Sequence, residues 1–264
     1  MVATFMYLVY LVQKNEKLGS FCTAVTAIGF VANTAVLIFR TIVAGRPPFT
    51  SGYEFLMCFT WGIIIVYLFA EWKYKFKIMG AFVVPVAWLL VAYIAVAMPA
   101  EQRNAQNLMP ALQSNWLHIH VATAMFSYGA FAISMGTSIM YLIKNSMEKS
   151  RSKSDLNKRL PSLEVLDDLS YKFIAFSFPL LSIVIITGAI WAEYAWGRYW
   201  SWDPKETWSL ITWLVYAAYL HARFTYGWRG SRAAIMSIVG FLFVLFTFFG
   251  VNYFLPGIHS YGAG

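Results

Sequence analysis

Between Trp191 and Trp213 the sequence reads WAEYAWGRYWSWDPKETWSLITW. It holds Trp191, Trp196, Trp200, Trp202, Trp208 and Trp213, out of eleven tryptophans in the chain. Indole is the largest side chain, a flat π-face with a single N–H donor. A dense run of such rings with polar edges makes a platform for a large, flat, apolar ligand that carries a few polar groups, and a porphyrin has that shape. The competing reading is an aromatic belt at a membrane surface. A belt scatters its rings over many helix ends, whereas these crowd one connection, which favours the ligand platform.

Inside this run, Asp203-Pro204-Lys205-Glu206 has the spacing of a helix start: Asp at the N-cap, Pro at the first helical position and Glu at the third. Capping is a sufficient reason for Asp203, and it also fixes how the preceding tryptophans enter the helix. The chain has four histidines, His118, His120, His221 and His259. Neutral imidazole is a strong ligand for haem iron, which takes one ligand on each face. His118 and His120 are two residues apart, so on a helix they point in nearly opposite directions and only one can face a common site. His221 lies about 26 Å along the helix from Pro204 at 1.5 Å per residue. A helix-end histidine reaching for water is the alternative for each taken singly. A further loop, Gly45 to Phe55 (GRPPFTSGYEF), combines turn residues with Arg46 and Glu54. Arg46 is a candidate partner for a propionate, and Glu54 for orienting a neighbouring group.

These residues must be held by membrane-spanning elements. The 264 residues are 59% hydrophobic and 12% charged, against about 25% charged in a soluble domain. Apolar runs long enough to cross a bilayer occur at roughly 18–43, 51–72, 78–98, 117–144, 166–195, 205–223 and 232–255. A shorter run from Met1 to Gln13 makes an eighth, as a shortened or tilted span. The expected fold is an all-α, polytopic helix bundle of about eight spans, a single unit over 1–264 with neither an internal repeat nor a soluble domain. The polar stretch 145–164 reads as a mobile connector, and no cleavable signal peptide is apparent.

Strict alternation of these spans puts most Lys and Arg on one side, among them Lys73, Lys75, Lys77, Lys144, Lys149 and Arg151. Only Arg40, Arg46, Arg103, Arg198 and Lys205 fall on the other. By the positive-inside rule the tryptophan segment 191–213, the 99–116 loop, His118, His120 and His259 face outward, and His221 lies deep, near the inner surface. The net charge of +8 then reflects topology and anionic lipid contact, and nucleic-acid binding is not expected. Cys22 and Cys58 sit in separate apolar runs without a CxxC or CxxCH spacing, which excludes a thioredoxin-like reductant and a c-type cytochrome. One deep histidine is too few for a dihaem b-type electron carrier. A transporter of another solute, with the tryptophans forming only a belt, stays open.

The run from Trp196 through Trp200, Trp202 and Asp203 to Trp208 closely resembles the WWD signature of the haem-handling proteins of cytochrome c maturation. Within them the chain is similar to the CcsA/ResC family, the membrane half of the System II cytochrome c synthase. Three further segments agree: the Arg46–Glu54 loop, Ser114 to Val121 (SNWLHIHV), and the tail Gly257 to Gly262 (GIHSYG). The resemblance implies that His120 and His259 are the external axial ligands of haem b, with His118 incidental, and that His221 is the transmembrane histidine of an inner haem site. Trp196, Trp200, Trp202, Asp203, Trp208 and Arg46 then belong to the binding surface, with no catalytic side chain beyond those that position haem. It also implies a holocytochrome c synthase (haem lyase) component, acting with a CcsB/ResB partner that supplies another transmembrane histidine. Haem would join the CxxCH thiols of an apocytochrome c that thioredoxin-like proteins keep reduced. The host membrane would be bacterial or thylakoid, with the WWD loop on the outer or lumenal side. The alternative within this group is a CcmC-like carrier that hands haem to a separate ligase.

Overall fold

A computed structural model describes residues 1–13, 15–99, 103–104, 112–152, 154–255 and 257, and all regular structure among them is helical. The long elements are α1 (Val2–Val12), α2 (Glu16–Ala44), α3 (Gly52–Tyr74), α4 (Gly80–Val96) and α5 (Asn115–Lys149). A short α6 (Asp155–Arg159) precedes α7 (Leu163–Trp196), α8 (Pro204–Tyr226) and α9 (Ser231–Leu245), which runs through a π-turn at Phe246–Gly250 into α10 (Val251–Phe254). Many of these helices begin where a side-chain oxygen takes an otherwise unpaired backbone N–H. Asn15 does this for α2, Ser51 for α3, Ser114 for α5, Ser162 for α7 and Asp203 for α8.

Six helical segments are both long and apolar enough to cross a membrane: Glu16–Ala44, Gly52–Tyr74, Lys77–Val96, Asn115–Lys149, Leu163–Trp196 and Ser231–Gly250. With 23 residues, α8 is also long enough, about 35 Å, but it is less apolar because its first turns carry Lys205, Glu206, Thr207 and Ser209. The 11-residue α1 covers only about 17 Å. The chain is an integral membrane protein, an all-helical bundle in which these two helices complete the six.

At the centre stands α5, packed against α3, α4, α7 and α9, with α7 its most extensive neighbour. Its middle carries small residues, Gly129, Ala130, Ala132, Ser134, Gly136 and Ser138 among them, all buried. Small side chains let backbones approach closely, which is how helices associate where lipid removes the usual hydrophobic drive. At Gly129 the approach is closest: a Cβ there would lie 3.1 Å from the Ile63 backbone nitrogen and closer still to the Gly62 carbonyl. Neither glycine can be replaced without parting α3 from α5.

The connector expected over 145–164 is largely helical. The fifth span continues to Lys149, α6 fills Asp155–Arg159, and α7 begins at Leu163. Its polar side chains are tied down: Lys144 Nζ donates to the Asn157 carbonyl at 2.5 Å, and Arg159 donates to the Leu11 carbonyl at 2.8 Å and the Tyr10 carbonyl at 2.5 Å. Arg159 thereby caps the C-terminal end of α1 while lying over the Tyr10 ring.

Candidate functional site

The starts of α3, α5 and α8, the end of α7 and the π-turn after α9 converge on one cleft with about 870 Å³ of empty space including its mouth. His120, Val184, Gly188, Trp191, Trp200 and Lys205 are among the residues that line it. Its walls are mostly apolar.

His120 reaches the cleft from the second turn of α5. Its Nδ1 is 2.8 Å from the Val184 carbonyl on α7. A carbonyl can only accept, so Nδ1 carries a proton, and in the neutral ring this is the tautomer that suits a metal ligand. The ring comes this close because residue 188 is glycine: a Cβ there would lie 3.0 Å from both Cε1 and Nδ1 of His120. His118 meets Phe49, ring centroids 5.9 Å apart, and is not among the residues that line the cleft.

The six tryptophans divide by task. Trp191 is buried at 5% exposure and packs edge-on against Trp196, centroids 4.9 Å apart, in a small apolar cluster with Leu117 and Val121. Gly197, at φ 71°, ends α7 in the left-handed conformation and turns the chain into the loop. There Trp200 lines the cleft, and Trp202 stands edge-on to it at 5.7 Å, 69% exposed. Trp202 has φ 58°, a left-handed backbone uncommon outside glycine. Trp208 and Trp213 turn away from the cleft into the bundle. The first packs on Phe243 and Phe246, and the second on Phe178, with its Nε1 donating to Ser182 Oγ at 2.8 Å.

Asp203 closes a capping box with Glu206: its Oδ1 accepts from the Lys205 N–H at 3.0 Å, and Glu206 Oε2 accepts from the Asp203 N–H at 3.1 Å and the Ser201 N–H at 2.8 Å. Gly257 lies directly over this cap, since a Cβ there would be 3.1 Å from Pro204 Cδ and closer to the Asp203 carboxylate. His259, two residues further, lies outside the described residues.

Arg46 donates through Nη1 to Glu54 at 3.1 and 3.3 Å, and Arg40 Nε donates to the same carboxylate at 2.9 Å. Glu54 is fully buried and also accepts from the Thr50 N–H at 2.8 Å, Thr50 Oγ1 at 3.0 Å and the Ser51 N–H at 3.2 Å. It thus holds the turn that presents Thr50 to the cleft. His221 is far from all of this, exposed near the other end of α8, with Nδ1 3.5 Å from Thr225 Oγ1 and its ring edge-on to Tyr226.

Residues 49–259 match the family model described as cytochrome C assembly protein. The cytochrome c biogenesis protein CcsA of Guillardia theta is 42% identical over 252 residues, which cover 90% of this chain and 84% of that protein. The CcsA proteins of Pyropia yezoensis and Synechococcus elongatus are each 40% identical, covering 93% and 91% of this chain and 88% and 86% of theirs. The chain belongs to the CcsA family of cytochrome c assembly proteins. A solved structure titled cytochrome c heme lyase CcmF shares the fold, with a TM-score of 0.65 at 15% identity, covering 93% of this chain. This chain spans 44% of that one.

Within this CcsA-family chain, the sequence did not single out Gly188, Val184, Tyr199 or Lys205 as site residues. Gly188 and Val184 carried no signal, because a glycine and a valine in an apolar span look like any others. Lys205 carried one, as a charge two positions from Asp203 in a segment already under suspicion.

Proposed function

We propose that this CcsA-family protein binds haem b as a substrate in the cleft between His120 and the Trp191–Trp202 segment, and presents it for covalent attachment to apocytochromes c. The observation that carries this reading is the placement of His120. Its tautomer leaves the lone pair on Nε2, in the wall of a mostly apolar cleft that also contains Trp191 and Trp200. His259 supplies the second axial ligand, a role supported by the position of Gly257, two residues before it, against Asp203. Arg46 contributes positive charge from the turn it shares with Glu54, Asp203 fixes the loop on α8, and Trp196, Trp202 and Trp208 buttress the platform.

In this reading the cleft lies on the outer or lumenal side of the membrane and the chain works as a holocytochrome c synthase component. Each thiol of a CxxCH segment adds across one haem vinyl group, the sulfur bonding to one carbon and the hydrogen to the other, so nothing leaves. The histidine of that segment then replaces one of the protein's axial ligands. Acceleration comes from holding the vinyl edge and the thiols together in a water-poor cleft, because the reactive groups belong to the substrates. Thioredoxin-like proteins keep the thiols reduced. His221, exposed near the inner end of α8, forms an inner haem site with a histidine from a CcsB/ResB partner.

The test is co-expression of this chain and such a partner with an apocytochrome, followed by spectroscopy of the purified complex and detection of thioether-linked haem. Covalent cytochrome together with a haem spectrum lost in His120→Gly is the expected result. Bound haem without covalent product would make the chain a carrier for a separate ligase. A complex that never shows a Soret band would overturn the proposal.

A further inference from the structure

Among the described residues, the hydroxyl side chains that line the cleft are those of Thr50, Tyr128, Tyr199, Ser209 and Thr247. Most of them are already served. Thr50 Oγ1 donates to Glu54 at 3.0 Å, Ser209 Oγ to the Glu206 carbonyl at 2.7 Å and Thr247 Oγ1 to the Phe243 carbonyl at 2.8 Å. Tyr199 is 59% exposed, so water can reach its hydroxyl. Tyr128 differs from all of these. It is half-buried on α5, about 12 Å deeper than His120 at 1.5 Å per residue. Its ring stands edge-on to Phe59, centroids 5.6 Å apart, and its hydroxyl makes no hydrogen bond to any described residue. A phenol O–H left unmade in an apolar wall costs stability. The cleft is therefore complete only when its occupant brings an acceptor to this depth.

The geometry points to Tyr128 as the hydrogen-bond donor that meets a propionate of haem at the inner end of the cleft, and so sets which edge of the macrocycle faces the mouth. This rests on the haem reading given above and deepens it. The rim of haem b bears methyl, vinyl and propionate groups, and of these only the propionates accept a hydrogen bond. Flat apolar walls hold a macrocycle by its faces and distinguish its edges poorly. One phenol at the inner end breaks that equivalence, because a hydrogen bond to a carboxylate is strong where water is scarce. The opposite end of the wall works in the same direction. At the start of α8, Asp203 and Glu206 stand beside Lys205, so the formal charges there sum to one negative and give a carboxylate edge no net attraction. With the propionate edge turned inward, the vinyl groups lie toward the mouth, where the thiols of a protein substrate must enter. Tyr128 is thus a positioning residue for the attachment step.

The test uses the full chain in detergent, titrated with two iron porphyrins and followed by Soret absorbance. One is iron mesoporphyrin IX, which keeps both propionates and has ethyl groups for vinyls. The other is iron etioporphyrin, in which ethyl groups replace the propionates as well. His120→Gly is the control for porphyrin dissolved in micelles, and Tyr128→Phe keeps the ring that packs on Phe59. Tyr128→Phe should weaken mesoporphyrin binding about tenfold and leave etioporphyrin binding unchanged. An equal loss for both porphyrins would make Tyr128 a packing residue and overturn the proposal, and so would no loss for either. If the wild type binds neither porphyrin, the haem reading itself falls and this inference with it.

Discussion

A backbone carbonyl decides what His120 can do. By accepting from Nδ1–H, the Val184 carbonyl holds the ring plane and favours the tautomer protonated there. His120→Gly is expected to abolish cytochrome c formation, with added imidazole restoring part of it by filling the vacated iron position. A fully active His120→Ala variant would remove this histidine from the site. The tryptophans give a sharper contrast. Trp200 lines the cleft, whereas Trp208 packs on Phe243 and Phe246. Both rings are half-buried, so truncation costs less than the about 3–5 kcal/mol of a fully buried aromatic, and the loss should fall on different quantities. Trp200→Ala should release haem from a chain of near-normal thermal stability, with Trp200→Phe milder. Trp208→Ala should lower the melting temperature first. Equal haem retention in wild type and Trp200→Ala would favour the aromatic-belt reading. The choice between His118 and His120 was half legible in the sequence, because their spacing alone sends them to opposite sides. The division among tryptophans was not, because the direction of each ring depends on what α7 and α9 place beside it.

At the scale of elements, the site depends on how closely α7 approaches the start of α5. Gly188→Ala puts a methyl group 3.0 Å from the His120 ring, tighter than ordinary contact, so the imidazole must give by a few tenths of an ångström, against its bond to the Val184 carbonyl. The expected outcome is a weakened, spectrally altered haem complex in a chain that still inserts and folds. An unchanged Soret spectrum and affinity would show that the ring has room to spare. The second controlling element is the turn before α3, where Glu54 gathers Arg40, Arg46, Thr50 and Ser51. Removing one member of a buried ion cluster strands the others, at about 3–5 kcal/mol. Glu54→Ala should therefore destabilise the chain markedly in thermal unfolding, and a melting curve like that of the wild type would contradict this account. Helix starts were legible to within a few residues. Asp203-Pro204-Lys205-Glu206 announces α8 by capping chemistry alone, and the structure contains that capping box. The 145–164 connector misled because its composition is polar. Its helices are secured by Lys144 and Arg159 bonding to distant carbonyls, and composition carries no record of such partners.

For the whole molecule, hydropathy made the all-helical bundle legible, and length sorted the spans. What it left hidden was the central place of α5, which follows from close backbone contacts at Gly62 and Gly129. His221 belongs to this scale, because it is exposed and lies about 24 Å along α8 from Lys205 in the cleft wall, at 1.5 Å per residue. His221→Ala is expected to starve the outer cleft of haem in cells while leaving purified chain able to bind haem added directly. Normal loading of the cleft in cells by this variant would make His221 a structural helix-end residue. Both places lie on α8, which after Pro204 contains neither glycine nor proline and so has no built-in hinge. Lys205 and His221 are therefore opposite ends of one stiff rod, about 24 Å apart at 1.5 Å per residue. A tilt of ~5° about its middle would carry each end roughly 1 Å sideways, by the same helix dimensions. Anything that grips the rod at His221 thus has leverage on the wall of the cleft, with no need for a bend anywhere along the helix between them.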